Sequence, residues 1–290
     1  ESPDPFGLAA EQRSVRFRGV RSVLGAMTVE GVPNWGGNPI GPREYLYDTE
    51  NFQGIAVYKG ATPADLGTGV GSRGGAVELR PQWPKEEFGV ALSQGFGSFE
   101  YMRSFLRVDS GKLPCVDTRL SLSSSYTEAD KWRGPGDLGP RKNLNFMFAQ
   151  PFHGEDEIKI WFNFNDVEQN LYRPLSYAEV RQLNENYRND YNDRITGVRS
   201  RDIDYYLYNQ ADLTNHDVLA LVPFTFNDQF KLSFKPYYSN EDSSILNGST
   251  SQGGMVTERT REIERYGMIA EATPDLDWTQ ATLGYWVAAN

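Results

Sequence analysis

The residues best equipped for chemistry in this 290-residue chain are tyrosines, tryptophans and arginines gathered in two stretches. The first follows Pro33 and carries Asn34, Trp35, Arg43, Tyr45 and Tyr47. The second, over 169–215, carries Tyr172, Arg173, Tyr177, Tyr187, Arg188, Tyr191, Arg194, Tyr205, Tyr206 and Tyr208. Aromatic rings with a polar edge offer broad, rigid area to an organic ligand, and a guanidinium clamps carboxylates, catecholates or phosphates. That is binding chemistry. For covalent chemistry there is no Gly-x-Ser-x-Gly elbow and no Gly-x-x-x-x-Gly-Lys phosphate loop. Two histidines, His153 and His216, cannot build a histidine-rich metal cage, and the lone Cys115 has no internal disulfide partner. The acidic run from Asn184 to Asp193 lacks the glycine and closing glutamate of a helix-loop-helix calcium site. The expectation is a non-enzyme with no cofactor and no bound metal.

Charge narrows the partners. The 29 basic and 39 acidic residues give a net charge of −10, which repels phosphate backbones and argues against nucleic acid. No run approaches the roughly 18 apolar residues of a spanning helix. A transmembrane barrel remains open, because it hides its apolar band in alternate residues.

The elements that must position these residues change texture near residue 81. Before it lie short β-type runs at 15–19, 26–33, 55–60 and 76–80, an irregular loop over 34–47, and a glycine-rich turn over 67–75. From residue 86 onward apolar residues recur with period 2. Val116, Thr118, Leu120, Leu122 and Tyr126 share one face, and Ile158, Ile160, Phe162 and Phe164 oppose Lys159, Trp161, Asn163 and Asn165. Phe88, Val90, Leu92 and Phe96 repeat the theme, as do Phe230, Leu232, Phe234 and Tyr238. The pattern predicts about nine strands of roughly ten residues, long enough to cross a bilayer at a tilt. Links at 110–114, 152–156, 226–229 and 272–275 are short, whereas the alternate links 129–141, 169–215 and 241–260 are long and polar, the first of that set, 95–98, being the exception. Such alternation favours an outer-membrane barrel over a soluble sandwich.

The first 80 residues resemble the second half of the plug of TonB-dependent outer-membrane receptors. Phe17-Arg18-Gly19, Val29-Glu30-Gly31-Val32-Pro33 and the stretch from Phe52 to Gly60 are similar to successive plug segments of that family. Gly71-Ser72-Arg73-Gly74-Gly75 and the run to Leu79 follow its glycine turn and closing strand. Gln53 and Ala56 stand where the family has glutamates that help lock plug to wall.

The resemblance implies an all-β membrane barrel: residues 1–81 as the C-terminal part of a plug, and 82–290 as the first part of the barrel. A plugged barrel of this kind has about 22 strands, so the expectation is a fragment whose antiparallel strands do not close. It implies a receptor in the outer membrane of a Gram-negative bacterium, importing a scarce nutrient such as a ferric siderophore or similar metal chelate. Its partners would be that chelate, outer-membrane lipid, and the inner-membrane TonB energy-coupling complex, whose contact segment is not found here. By the same analogy, Asn34, Trp35, Arg43, Tyr45, Tyr47, Tyr172, Arg173 and Tyr177 are candidate ligand contacts, and Arg16, Arg18, Arg73 and Glu78 candidate plug–barrel contacts. Each has a plainer reading as solvated loop or packing residue. The 169–215 loop could close as a lid, with a short helix from Tyr177 capped by Ser176, or remain a surface loop with Tyr205 to Tyr208 at the membrane interface. The alternative for the whole chain is a soluble or surface-exposed β-rich binding module without transport.

Overall fold

The computed structural model describes residues 15–17, 20–22, 27–34, 36–37, 40–41, 43–60, 74–276 and 278–289. Trp35, Arg18, Arg73 and the glycine turn up to residue 73 lie outside the described residues, as does the side chain of Arg16.

Two small antiparallel pairs, β1 (Val15–Phe17) with β2 (Val20–Ser22) and β5 (Gly36–Gly37) with β6 (Ile40–Gly41), are separate from a four-stranded inner sheet. That sheet contains β3 (Met27–Val29), β4 (Val32–Pro33), β7 (Phe52–Lys59) and β8 (Gly75–Pro81), in the order β4-β3-β8-β7. Strand β3 runs parallel to β8, and the other pairs are antiparallel. The β3–β4 hairpin turns on Glu30 and Gly31, both at positive φ (51° and 80°), as tight two-residue hairpins require.

The rest of the chain is one ten-stranded antiparallel sheet, the wall. It runs through β9 (Phe88–Phe96), β10 (Met102–Ser110), β11 (Arg119–Glu128), β12 (Leu138–His153) and β13 (Asp156–Asn170). It continues through β14 (Gln210–Asn227), β15 (Phe230–Ser249) and β16 (Met255–Leu276), which pairs with both β17 (Thr279–Gln280) and β18 (Leu283–Ala289). Each strand from β9 to β16 pairs with its sequence neighbour, and the sheet is not closed.

Register explains the alternation. Val90, Val108, Leu122, Phe146, Phe162, Val218, Tyr238 and Tyr266 stand side by side across eight strands, all on one face. Leu106 and Leu122 on that face are 45 % and 51 % exposed, apolar surface that suits lipid rather than water. The opposite face carries Ser123, Asn145, Asn163 and Asp217 in one row and Ser125, Asn143, Asn165 and Asn215 in the next, all buried beneath the inner sheet.

The strands outrun the roughly ten residues expected. Strands β14, β15 and β16 span 18, 20 and 22 residues. The segment 241–260, expected as a loop, is instead a tall hairpin with a turn only at 250–254. Polar residues such as Ser239, Glu241 and Ser243 fill even the buried face of this stretch, so hydropathy ceases to alternate although the backbone pairing continues. Nine barrel strands are present as expected, with the two-residue β17 in addition.

The inner sheet sits against the wall through an apolar cluster. Met27, Val29, Val32 and Leu79 pack on Met147, Trp161, Leu219 and Ile269 of the wall.

Candidate functional site

Above that cluster, the segment from Arg43 to Asn51 makes a polar seam with the wall. Leu46 is fully buried, and its carbonyl accepts amide hydrogens from Asn143 (2.7 Å) and Asn163 (3.1 Å). The Tyr45 carbonyl accepts from Arg141 Nε at 2.9 Å. Asn51 Oδ1 accepts from Ser123 Oγ at 2.9 Å. The Tyr45 and Leu46 backbone carbonyls are thus satisfied by wall asparagine and arginine side chains, as burial demands.

The charges in the seam are paired in both directions. Arg43 Nη2 meets the wall carboxylate Asp217 at 2.9 Å, and the Tyr47 hydroxyl donates to the same carboxylate at 3.0 Å. Asp48 lies 2.7 Å from Arg141 and 3.1 Å from Arg103 of the wall. Burial is the largest single influence and opposes ionisation of Asp48, but Arg141, Ser125 and Arg103 together outweigh it and hold the carboxyl below the usual carboxylate range. Arg103 also reaches Glu50 at 2.6 Å. Tyr47 stacks edge-on against Trp161, with ring centroids 5.1 Å apart.

The residues expected to meet ligand divide accordingly. Asn34, Arg43, Tyr45 and Tyr47 are packed in the seam, and Asn34 Oδ1 accepts from Arg43 Nε at 2.8 Å. Glu78, expected between plug and barrel, accepts hydrogen bonds within the inner sheet, from Thr28 Oγ1 and from Gly31 N at 3.1 Å. The residues that join plug to wall include Asp48 and Asn51 on the plug side and Arg103, Arg141, Asn143, Asn163 and Asp217 on the wall side, none singled out from sequence for that role. For the wall residues among them, polar side chains at odd positions of otherwise apolar strands were the signature; Asp48 and Asn51 lie outside the strands.

Tyr172 is buried at the base of the long loop rather than offered to solvent. Lys131, 3.1 Å from Asp190, lies over the Tyr172 and Tyr191 rings at 4.9 and 5.5 Å, and Arg133 donates to the Asn189 and Arg173 carbonyls. The first half of the loop is therefore fastened to the 129–137 loop. Helix α1 (Tyr177–Arg181) starts on the expected Ser176 cap, completed by Glu179 as a reciprocal capping box, and α2 (Leu183–Asn186) follows. The Ser176 amide, then Arg173 and the Ser176 hydroxyl, pull the half-buried Glu179 carboxyl down to about 2. Arg173 pairs with Glu179 at 2.9 Å, while Tyr177 is 81 % exposed. The second half is anchored by Asn209, which donates to the Ile203 and Tyr205 carbonyls and accepts from Gly248 N at 2.9 Å. Between α3 (Arg199–Asp202) and the 250–254 turn lies a cleft of about 450 Å³, lined by Arg199, Ile203, Tyr208 and Val256.

The same fold occurs in solved receptors. The chain superposes on the ferric-catecholate import receptor Fiu of E. coli K12 with TM-score 0.64 and 13 % identity, covering 97 % of this chain and 40 % of that one. It superposes on the Pseudomonas aeruginosa outer-membrane receptor FpvA bound to pyoverdine with TM-score 0.68 and 16 % identity, covering 96 % and 40 %. For the ferric yersiniabactin uptake receptor FyuA of Yersinia pestis the values are 0.69 and 13 %, with 97 % and 43 % covered. The fold is that of the TonB-dependent receptors. The chain spans about two fifths of the length of these structures. No protein-family model and no curated protein matches the sequence. In this fold the inner sheet is the plug, the wall is part of the barrel, and the seam is where the two meet. The structural neighbours are transport receptors rather than enzymes.

Proposed function

We propose that this chain is part of an outer-membrane receptor that binds a ferric siderophore or similar metal chelate outside the cell and imports it by energy-coupled rearrangement of the plug. The observation that carries this reading is the polar seam over residues 43–51. A plug held only by apolar packing would resist removal in proportion to its buried area. Here much of the contact is hydrogen bonds and ion pairs from one short segment to wall asparagines, arginines and Asp217. Each exchanges for water at a net cost of about 1 kcal/mol for a neutral pair. Such a cork is firm at rest yet can be displaced by force applied from the inner-membrane TonB complex.

The ligand would enter from the end carrying the 129–137 and 171–209 loops, where Tyr177 and the neighbouring exposed Val180, Leu183 and Tyr187 offer apolar and hydroxyl contacts. Asn34, Arg43, Tyr45 and Tyr47 would act behind that surface, transmitting ligand contact to the seam. The test is uptake of radiolabelled ferric siderophores by cells carrying the full-length gene, with and without the inner-membrane energy source. Energy-dependent uptake supports the reading; uptake indifferent to the energy source overturns it.

A further inference from the structure

Strand β16 sorts its charges by sign. In its first half Glu258, Glu262 and Glu264 occupy even positions, and Arg259, Arg261 and Arg265 occupy odd ones. Successive side chains of a strand point to opposite faces, and the register with β15 fixes which face is which. Glu262 and Glu264 stand opposite Asp242 and Asn240, on the face of Tyr238 and Tyr266. Arg259, Arg261 and Arg265 stand opposite Ile245, Ser243 and Ser239, on the face that meets the plug. The β15–β16 pairing is unbroken from Phe230 to Ser249, so this assignment owes nothing to the free edge of β16.

The outward face repeats one sign. Glu168 lies directly opposite Asp212, and Asp242 directly opposite Glu262, like-charge pairs that cost stability. The inward face of the same hairpin reverses it. Its one carboxylate, Glu241, pairs with Arg265 at 3.3 Å beside the plug. Arg259, by contrast, is exposed, and its opposite and diagonal neighbours on β15 are Ile245, Ser243 and Asn247, none of them acidic. Solubility does not require such sorting, because either sign dissolves a wet face. A chain of net charge −10 therefore turns a cationic strip toward its own lumen. The strip starts near the hairpin tip, at the end carrying the long loop, since Gly248 N donates to Asn209 there. It descends from exposed Arg259 through half-buried Arg261 to buried Arg265.

Charges of one sign along a low-dielectric wall focus the field and raise the local concentration of counter-charged solutes. Guanidinium also forks onto the paired oxygens of catecholates and carboxylates. We infer that the inward face of β16 selects anionic metal chelates over neutral ones and draws them from the hairpin tip toward the plug. This inference rests on the import reading above and names the charge class of its cargo.

The experiment uses the full-length receptor in bilayers and has two arms. In the first, single spin labels at Ile245→Cys, inward, and Ser244→Cys, outward, report collisions with an anionic chromium oxalate chelate and with a neutral nickel chelate. The anionic-to-neutral ratio should be higher at 245 than at 244. Arg259→Gln should lower the ratio at 245 by at least about threefold, the effect of one charge about 5 Å away in salt water. In the second arm, cells carrying the full-length gene receive a trianionic ferric tris-catecholate or a neutral ferric tris-hydroxamate. The catecholate should enter, and Arg259→Gln should slow its entry at low salt more than at high salt. Equal ratios at 244 and 245, no response at 245 to Arg259→Gln, or preferential uptake of the hydroxamate would each overturn the inference. The expected ratios with energy-independent uptake of the catecholate would support the anion-drawing strip and overturn the import reading instead.

Discussion

Replacing Asp48 by asparagine tests the seam at its most buried charge. The Asp48 side chain is 1 % exposed and faces Arg141 at 2.7 Å and Arg103 at 3.1 Å, themselves 7 % and 18 % exposed. Asparagine keeps the shape but removes the charge that both guanidiniums were arranged to meet. Breaking a buried pair while leaving its partner in place costs about 3 kcal/mol or more, which is roughly 100-fold in the equilibrium between seated and unseated segment. The neighbouring Glu50→Gln provides the contrast. Glu50 also contacts Arg103, at 2.6 Å, but is 36 % exposed, so its loss should cost about 0.5 kcal/mol, near twofold. The assay is amide hydrogen exchange in the full-length receptor, read at Asn51, whose N–H is bonded to the Asp48 carbonyl at 3.0 Å. Exchange there should accelerate about 100-fold in Asp48→Asn and about twofold in Glu50→Gln. Equal rates in the two variants would refute the idea that buried charge pairing seats the plug.

Trp161, 2 % exposed between Tyr47 and the apolar cluster, should cost about 3–5 kcal/mol when cut to alanine, seen as a lower unfolding temperature of the refolded receptor. Gly248→Val should dislodge the second half of the long loop, since a Cβ there would collide with the Ile203 carbonyl; proteolysis near 203–208 should rise while the barrel stays folded. The Glu179 capping box responds to pH in a defined direction. Its carboxyl is depressed from 4.5 to about 2, so its contribution is complete above 4.5 and vanishes as pH falls through about 2. Exchange at the Glu179 amide should therefore speed up across that window relative to the Glu179→Gln variant, which should show no such step.

Much of the wall was legible because one physical contrast wrote it. Even-numbered residues such as Leu122, Phe146 and Phe162 face the apolar side, and odd-numbered Ser123, Asn145 and Asn163 face the plug, so composition alternates along each strand. It stops being legible where the apolar row ends: residues 239–249 pair across the full hairpin with β16, yet they look like loop because neither face is consistently apolar. The helix start at Tyr177 was readable from Ser176 and Glu179, a local signal needing no tertiary context. The seam was not. Arg43 sits in a stretch rich in glycine and proline, which points to an exposed loop, and its burial depends on Asp217, 174 positions away. No local pattern records which wall residue a loop will meet, because that is fixed by the register of β13 on β14 and by how deep the inner sheet sits. Tyr172 misled for the same reason: its partners Lys131 and Arg133 arrive from a different loop.

The central claim is that adjacent wall residues point by turns to lipid and to the plug. Spin labels placed singly at Leu122 and Ser123 of the full-length receptor in bilayers test it directly, by comparing accessibility to oxygen, which partitions into lipid, with accessibility to a water-soluble nickel chelate. The label at 122 should collide freely with oxygen and hardly with nickel, and the label at 123 should be shielded from both. Equal nickel access at the two positions, or oxygen access reversed between them, would contradict the account.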